Sequence, residues 1–344
     1  MRIGVLTAGG DCPGLNAVIR AVGRSAIGRG DEAVGILRGY EGLAKRDYMP
    51  LDMRTVSGIL HQGGTIVGTS SFEPHTEDAV EEVKAAFEAD RLDAVVAIGG
   101  EHTMEITRRL CDEEGLPLVG VPKTIDNDVA GTDYTFGFDT AVQTATSAID
   151  RLHSTAQSHD RIMVVEVMGR NTGWIAVHAG IAGGADAILI PEVPTTVEEV
   201  ADGIQARHRR KKNFSIIVVA EGATLGFESG EERLIQPTKA TDEYGYPRLG
   251  GIGAALAAEL EKLTGYEARV TVLGHVQRGG TPTSTDRILA TRYGTKAYDM
   301  VKAGDFGRMV SLKGPTITSV PLADTKGVKT VDLELLEMAR RFYG

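Results

Sequence analysis

The stretch Leu118-Val119-Gly120-Val121-Pro122-Lys123-Thr124-Ile125-Asp126-Asn127-Asp128 joins an apolar run to a crowded polar segment. The apolar run, residues 118–121, is typical of a buried strand, so residues 122–128 should follow the C-terminal end of that strand. In open α/β sheets ligands bind at this edge, and five polar groups are costly there unless a ligand uses them. The carboxylate of Asp126 could accept a proton from an attacking hydroxyl. A polar turn closed by Asx-type hydrogen bonds fits the same spacing.

Apolar strand patterns alternate with amphipathic helix patterns on both sides of this stretch. Strands are predicted at residues 3–7, 32–37, 93–98, 163–167, 187–190, 215–220 and 268–273, and helices at residues 77–89, 197–210, 250–263, 284–303 and 333–341. This alternation predicts an α/β fold of two doubly wound, mostly parallel-sheet (Rossmann-like) domains, with the active site in the cleft between them. Residues 63–69 are predicted as a further strand and turn, and residues 226–249 as an exposed loop.

Size and composition narrow the class of protein. A chain of 344 residues suggests two domains. The two cysteines, Cys12 and Cys111, are far apart, which suits a reducing compartment, and no signal peptide precedes the first strand pattern. We therefore expect a cytoplasmic protein. No apolar run is long enough to cross a membrane, and the net charge of −10 argues against nucleic acid as a partner.

Two strand patterns lead into glycine pairs followed by helices, at residues 9–16 and 99–103. Such loops place backbone N–H groups at a helix N-terminus, where anions bind. The loop at residues 9–16 is not a Walker-type phosphate loop. A phosphate chain could lie between the two loops, with Glu101 as a Mg²⁺ ligand. The alternative for Glu101 is an acidic residue favoured by the helix dipole.

Polar residues also follow other predicted strands. The set at these strand ends is Asp11, Glu101, Asp126, Arg170, Glu221, His275 and Arg278. Arginine suits bidentate phosphate binding, so carboxylates, arginines and glycine-rich loops together indicate phosphoryl transfer. A dinucleotide-binding oxidoreductase is the competing class. It is disfavoured because no acidic ribose-binding residue follows the second strand in the expected setting.

The chain resembles the 6-phosphofructokinases over nearly its whole length. The resemblance rests on residues 9–16, 122–128, 165–170 and 273–280, and it is strongest to the actinobacterial branch with both ATP-dependent and pyrophosphate-dependent members. It implies a Mg²⁺-dependent, glycolytic phosphotransferase that converts D-fructose 6-phosphate to fructose 1,6-bisphosphate. It also implies a homo-oligomer, dimer or tetramer, with shared active sites. Residues 1–137 plus about 277–302 would bind the phosphoryl donor, and residues 138–276 plus about 303–344 the sugar phosphate.

The resemblance also assigns roles to individual residues. The catalytic set would be Asp126 as the base, Thr124, Asp128 and Arg170. The sugar phosphate would be bound by Met168, Gly169, Arg170, Glu221, His275 and Arg278, and by Arg161 and Arg269 from a neighbouring subunit. The donor would be bound by Gly10, Tyr40, His102, Thr103 and Lys123, and Mg²⁺ by Glu101.

The donor side departs from the family pattern. Bulk at His102 and Glu105, together with Lys123, favours pyrophosphate slightly over ATP, and Ser71 replaces an arginine that usually bridges the two phosphates. The loss of that cation leaves open two alternatives. One is a paralogue acting on another sugar phosphate such as sedoheptulose 7-phosphate; the other is a catalytically weak sugar-phosphate-binding subunit. The sequence leaves open the donor, the exact acceptor, the direction of flux, the subunit count and the response to effectors.

Overall fold

Two α/β units make up the chain in the computed structural model, which describes residues 1–234 and 249–343. Unit 1 comprises Met1–Thr140 and Arg278–Val328, and unit 2 comprises Ala141–Gln277 and Lys329–Gly344. Most of the loop predicted at residues 226–249 lies outside the described residues. The α/β class with mainly parallel sheets is confirmed.

Unit 1 is built on one large sheet. Its strands are β1 (Arg2–Thr7), β2 (Glu32–Ile36), β3 (Tyr48–Pro50), β4 (Ala94–Gly99), β5 (Leu118–Thr124), β6 (Phe136–Gly137), β14 (Arg308–Lys313) and β15 (Thr316–Pro321). Its helices are α1 (Leu15–Gly28), α2 (Gly39–Lys45), α3 (Glu77–Asp90), α4 (Glu101–Asp112) and α9 (Ser284–Ala303), with a short 3-10 helix at Leu322–Thr325. The strand order is β15-β14-β5-β4-β1-β2-β3, and β6 pairs with β5.

The centre of this sheet is parallel and buried. Strand β4 has no exposed residue, because apolar side chains face helices on both sides of the sheet. On one side Val95 and Leu118 pack with Phe87 of α3 and Ile106 of α4. Antiparallel pairing occurs only at the two ends of the described sheet, between β2 and β3 and between β14 and β15.

Unit 2 has a smaller parallel sheet. Its strands are β7 (Ile162–Val167), β8 (Ala187–Leu189), β10 (Ser215–Ala220) and β13 (Ala268–Val272), in the order β13-β7-β10-β8. A second sheet contains β9 (Thr195–Thr196), β11 (Thr224–Gly226) and β12 (Glu232–Leu234). The helices are α6 (Trp174–Ala182), α7 (Val197–Arg209), α8 (Ile252–Thr264) and α10 (Leu333–Arg340), with a 3-10 helix at Gly274–Gln277. Helix α5 (Phe138–His159) has its first residues in unit 1 and the rest in unit 2.

The structure differs from the predicted domain boundaries at the C-terminal side. Residues 303–344 were assigned to the second domain, but β14 pairs in parallel with β5, so the β14–β15 hairpin belongs to unit 1. The alternation of polar and apolar residues at 308–321 is irregular, so the sequence pattern predicts no strand there. Only Lys329–Gly344 rejoin unit 2.

The prediction of a strand at residues 63–69 is wrong. This segment is a loop, and several of its backbone groups bond to side chains. The Thr7 hydroxyl donates to the carbonyl of Gly68 at 2.7 Å, and the N–H of Ile66 donates to Oδ1 of Asn16 at 2.8 Å. The loop is thereby held against the end of β1.

No helix in residues 1–234 and 249–343 is long and apolar enough to cross a bilayer.

A buried carboxylate gives this fold a pH-dependent stability. Asp286 in α9 is fully buried, and its Oδ2 accepts hydrogen bonds from the N–H of Thr140 at 2.8 Å and from the Thr140 hydroxyl at 2.5 Å. Burial raises the pKa of Asp286 to about 6. Between about pH 4 and 6 the folded state therefore holds a proton that the unfolded state has lost, so stability falls as pH rises through this window.

We expect Asp286→Asn to abolish this pH-dependent fall in the free energy of unfolding, which amounts to up to about 3 kcal/mol. Urea unfolding at pH 4, 5 and 6 measures it as the pH dependence of the difference between wild type and variant. A difference that stays constant over this range would contradict the assignment.

Candidate active site

Three neighbouring strands of unit 1 end at one edge of the sheet. Strand β4 lies between β1 and β5, and all three run parallel, with Thr7 opposite Ile98 and Gly99 opposite Pro122. The loops that leave their C-terminal ends therefore lie side by side. The expectation that the two glycine-pair loops meet at one sheet edge is confirmed for unit 1.

A cluster of cations and glycine lies at this edge. Lys123 Nζ donates a hydrogen bond to the carbonyl of Gly10, and Arg278 Nη1 donates to the carbonyl of Asp11 at 3.4 Å. A Cβ at Gly10 would lie 2.6 Å from Arg278 Nη1, so only glycine leaves room for this guanidinium. The structure thus places Arg278, predicted for the sugar phosphate, beside two residues predicted for the donor.

Electrostatics at the cluster favour anion binding. Lys123 is 4% exposed, and burial lowers the pKa of its ammonium group, with Arg278 acting in the same direction. The carboxylates of Asp11 and Asp126 raise that pKa, so Asp126 lies within electrostatic reach of Lys123. An anionic ligand would offset the cost of this buried cation. Cys12 is fully buried here, and burial raises the pKa of its thiol far above the usual range, as expected for a packing residue.

The loop that carries Asp126 is held in one conformation. The N–H of Asp126 donates to the Thr124 hydroxyl at 3.0 Å. Asn127 is buried at φ 52°, a left-handed conformation that is uncommon outside glycine. Its Oδ1 accepts from the N–H of Thr135 at 3.0 Å, and the Thr135 hydroxyl donates to the carbonyl of Thr124 at 2.9 Å. The partly exposed Asp126 and Asp128 flank this fixed residue.

A polar cavity of about 360 Å³ opens at the N-terminal end of α4. It is lined by Glu101, His102, Glu105, Thr325, Lys326 and Gly327. Glu105 forms a two-bond ion pair with Arg108, at 2.7 and 2.9 Å, which holds the pKa of its carboxyl below the usual range. All six lining residues are polar or glycine.

The side chains that line this cavity fit a Mg²⁺ ion that is bound mainly by the phosphate oxygens of a ligand. Glu101 offers one carboxylate at the cavity wall, and Mg²⁺ commonly takes one or two carboxylates and fills its other positions with water and phosphate oxygens. Within the described part of the chain there is no group of three or more metal-binding side chains.

Two residues predicted to contact the donor are instead buried in the core of unit 1. Tyr40 is 1% exposed, and its hydroxyl is bonded to the Thr107 hydroxyl at 2.8 Å. Thr103 is 4% exposed, and its side chain fills the space that a Cβ at Gly99 would need. The prediction that these two side chains bind the donor is therefore wrong, and both pack in the core. Their donor-binding roles were implied by the resemblance to the family, which carries no information on burial.

The corresponding edge of unit 2 carries most of the residues predicted for the sugar phosphate. Strand β7 lies between β10 and β13, and hydrogen bonds join the loops that follow these strands. The N–H of Glu221 donates to the carbonyl of Val167 at 2.9 Å, and the N–H of Met168 donates to Oε1 of the buried Gln277 at 3.4 Å. His275 is exposed in the 3-10 helix Gly274–Gln277. Met168 is buried, and Arg170 and Glu221 are partly exposed.

Glycine shapes the turn at Arg170. Gly169 has φ +135°, and the N–H of Gly222 donates to its carbonyl at 3.1 Å. A Cβ at Gly222 would lie 1.8 Å from the carbonyl oxygen of Arg170. The two loops therefore pack too closely for any side chain at position 222.

Arg161 and Arg269 lie at the opposite ends of these strands. Arg161 precedes β7, and Arg269 is the second residue of β13. Both pair with Glu267: Arg161 Nε is 2.7 Å from Glu267 Oε2, and Arg269 Nη2 bonds to Oε1. Since a six-residue strand spans roughly 16–20 Å, unit 2 does not bring these arginines to His275 of the same chain.

Several positioning residues were not predicted from the sequence. Asn127 and Thr135 hold the Asp126 loop, and Gln277 joins the loops after β7 and β13. Asn127 and Gln277 stood inside motifs that had been singled out, but their side chains received no role. Their burial was the missing signal, because buried amides usually have a fixed hydrogen-bonding function.

Comparison with known proteins identifies the family. The phosphofructokinase family model matches residues 2–301. The chain is 52% identical to the pyrophosphate–fructose 6-phosphate 1-phosphotransferase of Streptomyces coelicolor over 100% of both chains. It is also 52% identical to the ATP-dependent 6-phosphofructokinase 3 of that organism over 96% of each. A solved structure of Pichia pastoris phosphofructokinase in the T-state matches 94% of this chain and 35% of that chain, at 31% identity and a TM-score of 0.80. With a family match over most of its length and full-length relatives above 50% identity, the chain belongs to the phosphofructokinase family.

Proposed function

We propose that this protein transfers a phosphoryl group from pyrophosphate or ATP to the 1-hydroxyl of fructose 6-phosphate. The observation that carries the proposal is the cluster at the β1–β4–β5 edge, where Gly10, Lys123 and Arg278 are in contact and Asp126 is within electrostatic reach. A carboxylate beside phosphate-binding cations is the arrangement that phosphoryl transfer to an alcohol requires. Relatives named for both donors support the reaction class.

Asp126 acts as the general base in this proposal. Its carboxylate takes the proton from the sugar 1-hydroxyl as the new O–P bond forms and the donor's phosphoanhydride bond breaks. The leaving group is phosphate from pyrophosphate or ADP from ATP. The hydrogen bonds around Asn127 fix the backbone on either side of this carboxylate, so little reorganisation is needed at the moment of transfer.

Cations balance the charge on the transferring group. Lys123 and Arg170 neutralise phosphoryl oxygens, and the loop at Gly10 approaches the donor with its backbone. Thr124 and Asp128 lie on either side of the base in sequence and bind the transferring group or the sugar. Glu101 would hold Mg²⁺, which supplies charge neutralisation on the donor phosphates when bound.

The sugar phosphate is bound by the residues that the resemblance to the family assigns to it. Met168, Gly169 and Glu221 contact the sugar, and His275 and Arg278 bind its 6-phosphate. Arg161 and Arg269 bind the 6-phosphate of the sugar in the active site of a neighbouring subunit. The active site therefore requires a homo-oligomer. The place of these two arginines at the far strand ends supports this role, since they lie away from His275 of their own chain. The free cysteines, Cys12 and Cys111, suit a cytoplasmic enzyme.

Pyrophosphate is the slightly favoured donor. The side chains of His102 and Glu105 line the cavity at α4, and their bulk leaves less room for the adenosine part of ATP than for pyrophosphate. We expect a higher kcat/KM with pyrophosphate than with ATP, measured with saturating fructose 6-phosphate and Mg²⁺. Turnover with ATP and none with pyrophosphate would reverse the assignment.

The acceptor is tested in the same assay. We expect fructose 6-phosphate to give a higher kcat/KM than sedoheptulose 7-phosphate with either donor. A higher kcat/KM for sedoheptulose 7-phosphate would show that this sugar is the acceptor, and the proposal of phosphoryl transfer would stand. Binding of sugar phosphate without turnover on either donor would favour a non-catalytic subunit.

A further inference from the structure

The cavity at the N-terminal end of α4 is closed by a segment that the family match does not reach. The match ends at residue 301, whereas the cavity wall opposite α4 is formed by Thr325, Lys326 and Gly327. These residues follow the 3-10 helix Leu322–Thr325. The family-model match therefore assigns no role to these residues.

The backbone on both sides of Lys326 is fixed. Leu322 and Thr325 are buried, and the Thr325 hydroxyl donates to the carbonyl of Leu322 at 2.8 Å. On the other side, Val328 forms an antiparallel bridge with Val129, just after the Asp126 loop. These two anchors hold the backbone of Lys326 at the cavity wall.

The Lys326 ammonium group is available for a ligand. The lysine is exposed, and no hydrogen bond or ion pair joins it to another residue within 1–234 or 249–343. The carboxylate across the cavity, Glu105, already has a two-bond partner in Arg108. Lys326 also helps to hold the pKa of Glu105 down, which places its charge close to that residue.

We propose that Lys326 is a donor-binding residue that contacts a phosphate of the diphosphate group. This inference rests on the proposed function, since it assigns the cavity at α4 to the phosphoryl donor. The shared ligand chemistry is a diphosphate, supplied either by inorganic pyrophosphate or by the phosphate chain of a nucleotide. A flexible ammonium group of this kind binds phosphate as a point charge.

Steady-state kinetics of Lys326→Met, Lys326→Arg and the control Lys313→Met test this role. Lys313 lies in the same unit, is also exposed, and pairs with Asp133, and neither residue lines the cavity. For Lys326→Met we expect the KM for the donor to rise about tenfold, as for the loss of one phosphate contact of about 1.4 kcal/mol. The KM for fructose 6-phosphate should stay within about twofold, and Lys326→Arg should restore most of the donor affinity.

Comparing the two donors identifies the ligand. A rise in KM for pyrophosphate and ATP alike supports recognition of the common diphosphate, and a rise for one donor alone assigns the residue to that donor. An unchanged KM for both donors in Lys326→Met, or an equal change in Lys313→Met, would overturn the proposal.

Calorimetric titration of the protein with pyrophosphate and Mg²⁺ separates this inference from the proposed function. If wild type binds pyrophosphate and Lys326→Met binds it about tenfold more weakly, Lys326 is a diphosphate ligand whatever the catalytic activity. If wild type turns over sugar phosphate but both proteins bind pyrophosphate equally, only the role of Lys326 fails.

Discussion

Replacing Asp126 by asparagine is expected to lower turnover of fructose 6-phosphate by about 10³-fold, with sugar-phosphate binding changed less than about twofold. Asparagine keeps the shape of the side chain and its hydrogen-bonding oxygen but cannot take the proton from the 1-hydroxyl. The backbone N–H of residue 126 would still donate to Thr124, and Asn127 would still bond to Thr135, so the loop should keep its conformation. Initial rates and calorimetric titration with fructose 6-phosphate measure the two effects separately.

Asp299→Asn is the matched control for this prediction. Asp299 is an exposed carboxylate in unit 1 that pairs with Arg29 at 3.0 Å on the surface. Its replacement should leave turnover unchanged, because an exposed ion pair contributes little. An Asp126→Asn enzyme with more than about a tenth of wild-type turnover would show that another group accepts the proton.

Replacing Gly222 by alanine is expected to lower kcat/KM by about 10²-fold, because the new methyl group displaces the turn that carries Arg170. The alanine Cβ would lie 1.8 Å from the carbonyl oxygen of Arg170 and 2.9 Å from that of Gly169. Both contacts are with backbone, so no side chain can rotate away, and the Gly169–Arg170 turn must shift. Steady-state kinetics should show the loss, and urea unfolding should show destabilisation of about 1–3 kcal/mol.

Gly203→Ala isolates this steric effect. Gly203 lies in α7 of the same unit, is exposed, and has no atom within 4 Å of an added Cβ. Alanine there should stabilise the protein by roughly 0.5–1 kcal/mol through helix propensity and leave kcat/KM unchanged. If Gly222→Ala behaved like Gly203→Ala, the close approach of the two loops would have no part in positioning Arg170.

Much of the fold could be predicted from hydrophobic patterning. Strands β1, β4, β7 and β10 are short apolar runs that end at glycine or at polar residues, and each lies where its pattern placed it. The prediction failed where tertiary contacts decide the structure. Residues 63–69 contain β-branched residues that favour a strand, but hydrogen bonds with Thr7 and Asn16 hold them as a loop.

The chemistry of the site was less accessible from the sequence. Strand ends indicated that Gly10, Lys123 and Asp126 belong to one edge, because parallel neighbours share an edge. The sequence does not reveal that the Tyr40 side chain is buried. The prediction therefore assigned Tyr40 to the ligand, although its hydroxyl bonds to Thr107. The role of Lys326 could not be predicted, because only the folded chain brings it opposite Glu101, more than two hundred residues earlier.

³¹P NMR of the reaction mixture tests the central claim most directly. The protein is incubated with fructose 6-phosphate, Mg²⁺ and either pyrophosphate or ATP, with Asp126→Asn in parallel. The account predicts a second phosphomonoester resonance from phosphate on C1 of the sugar with wild type, and none on the same time scale with the variant. Absence of phosphoryl transfer to the sugar with both donors, or equal product from Asp126→Asn, would contradict it.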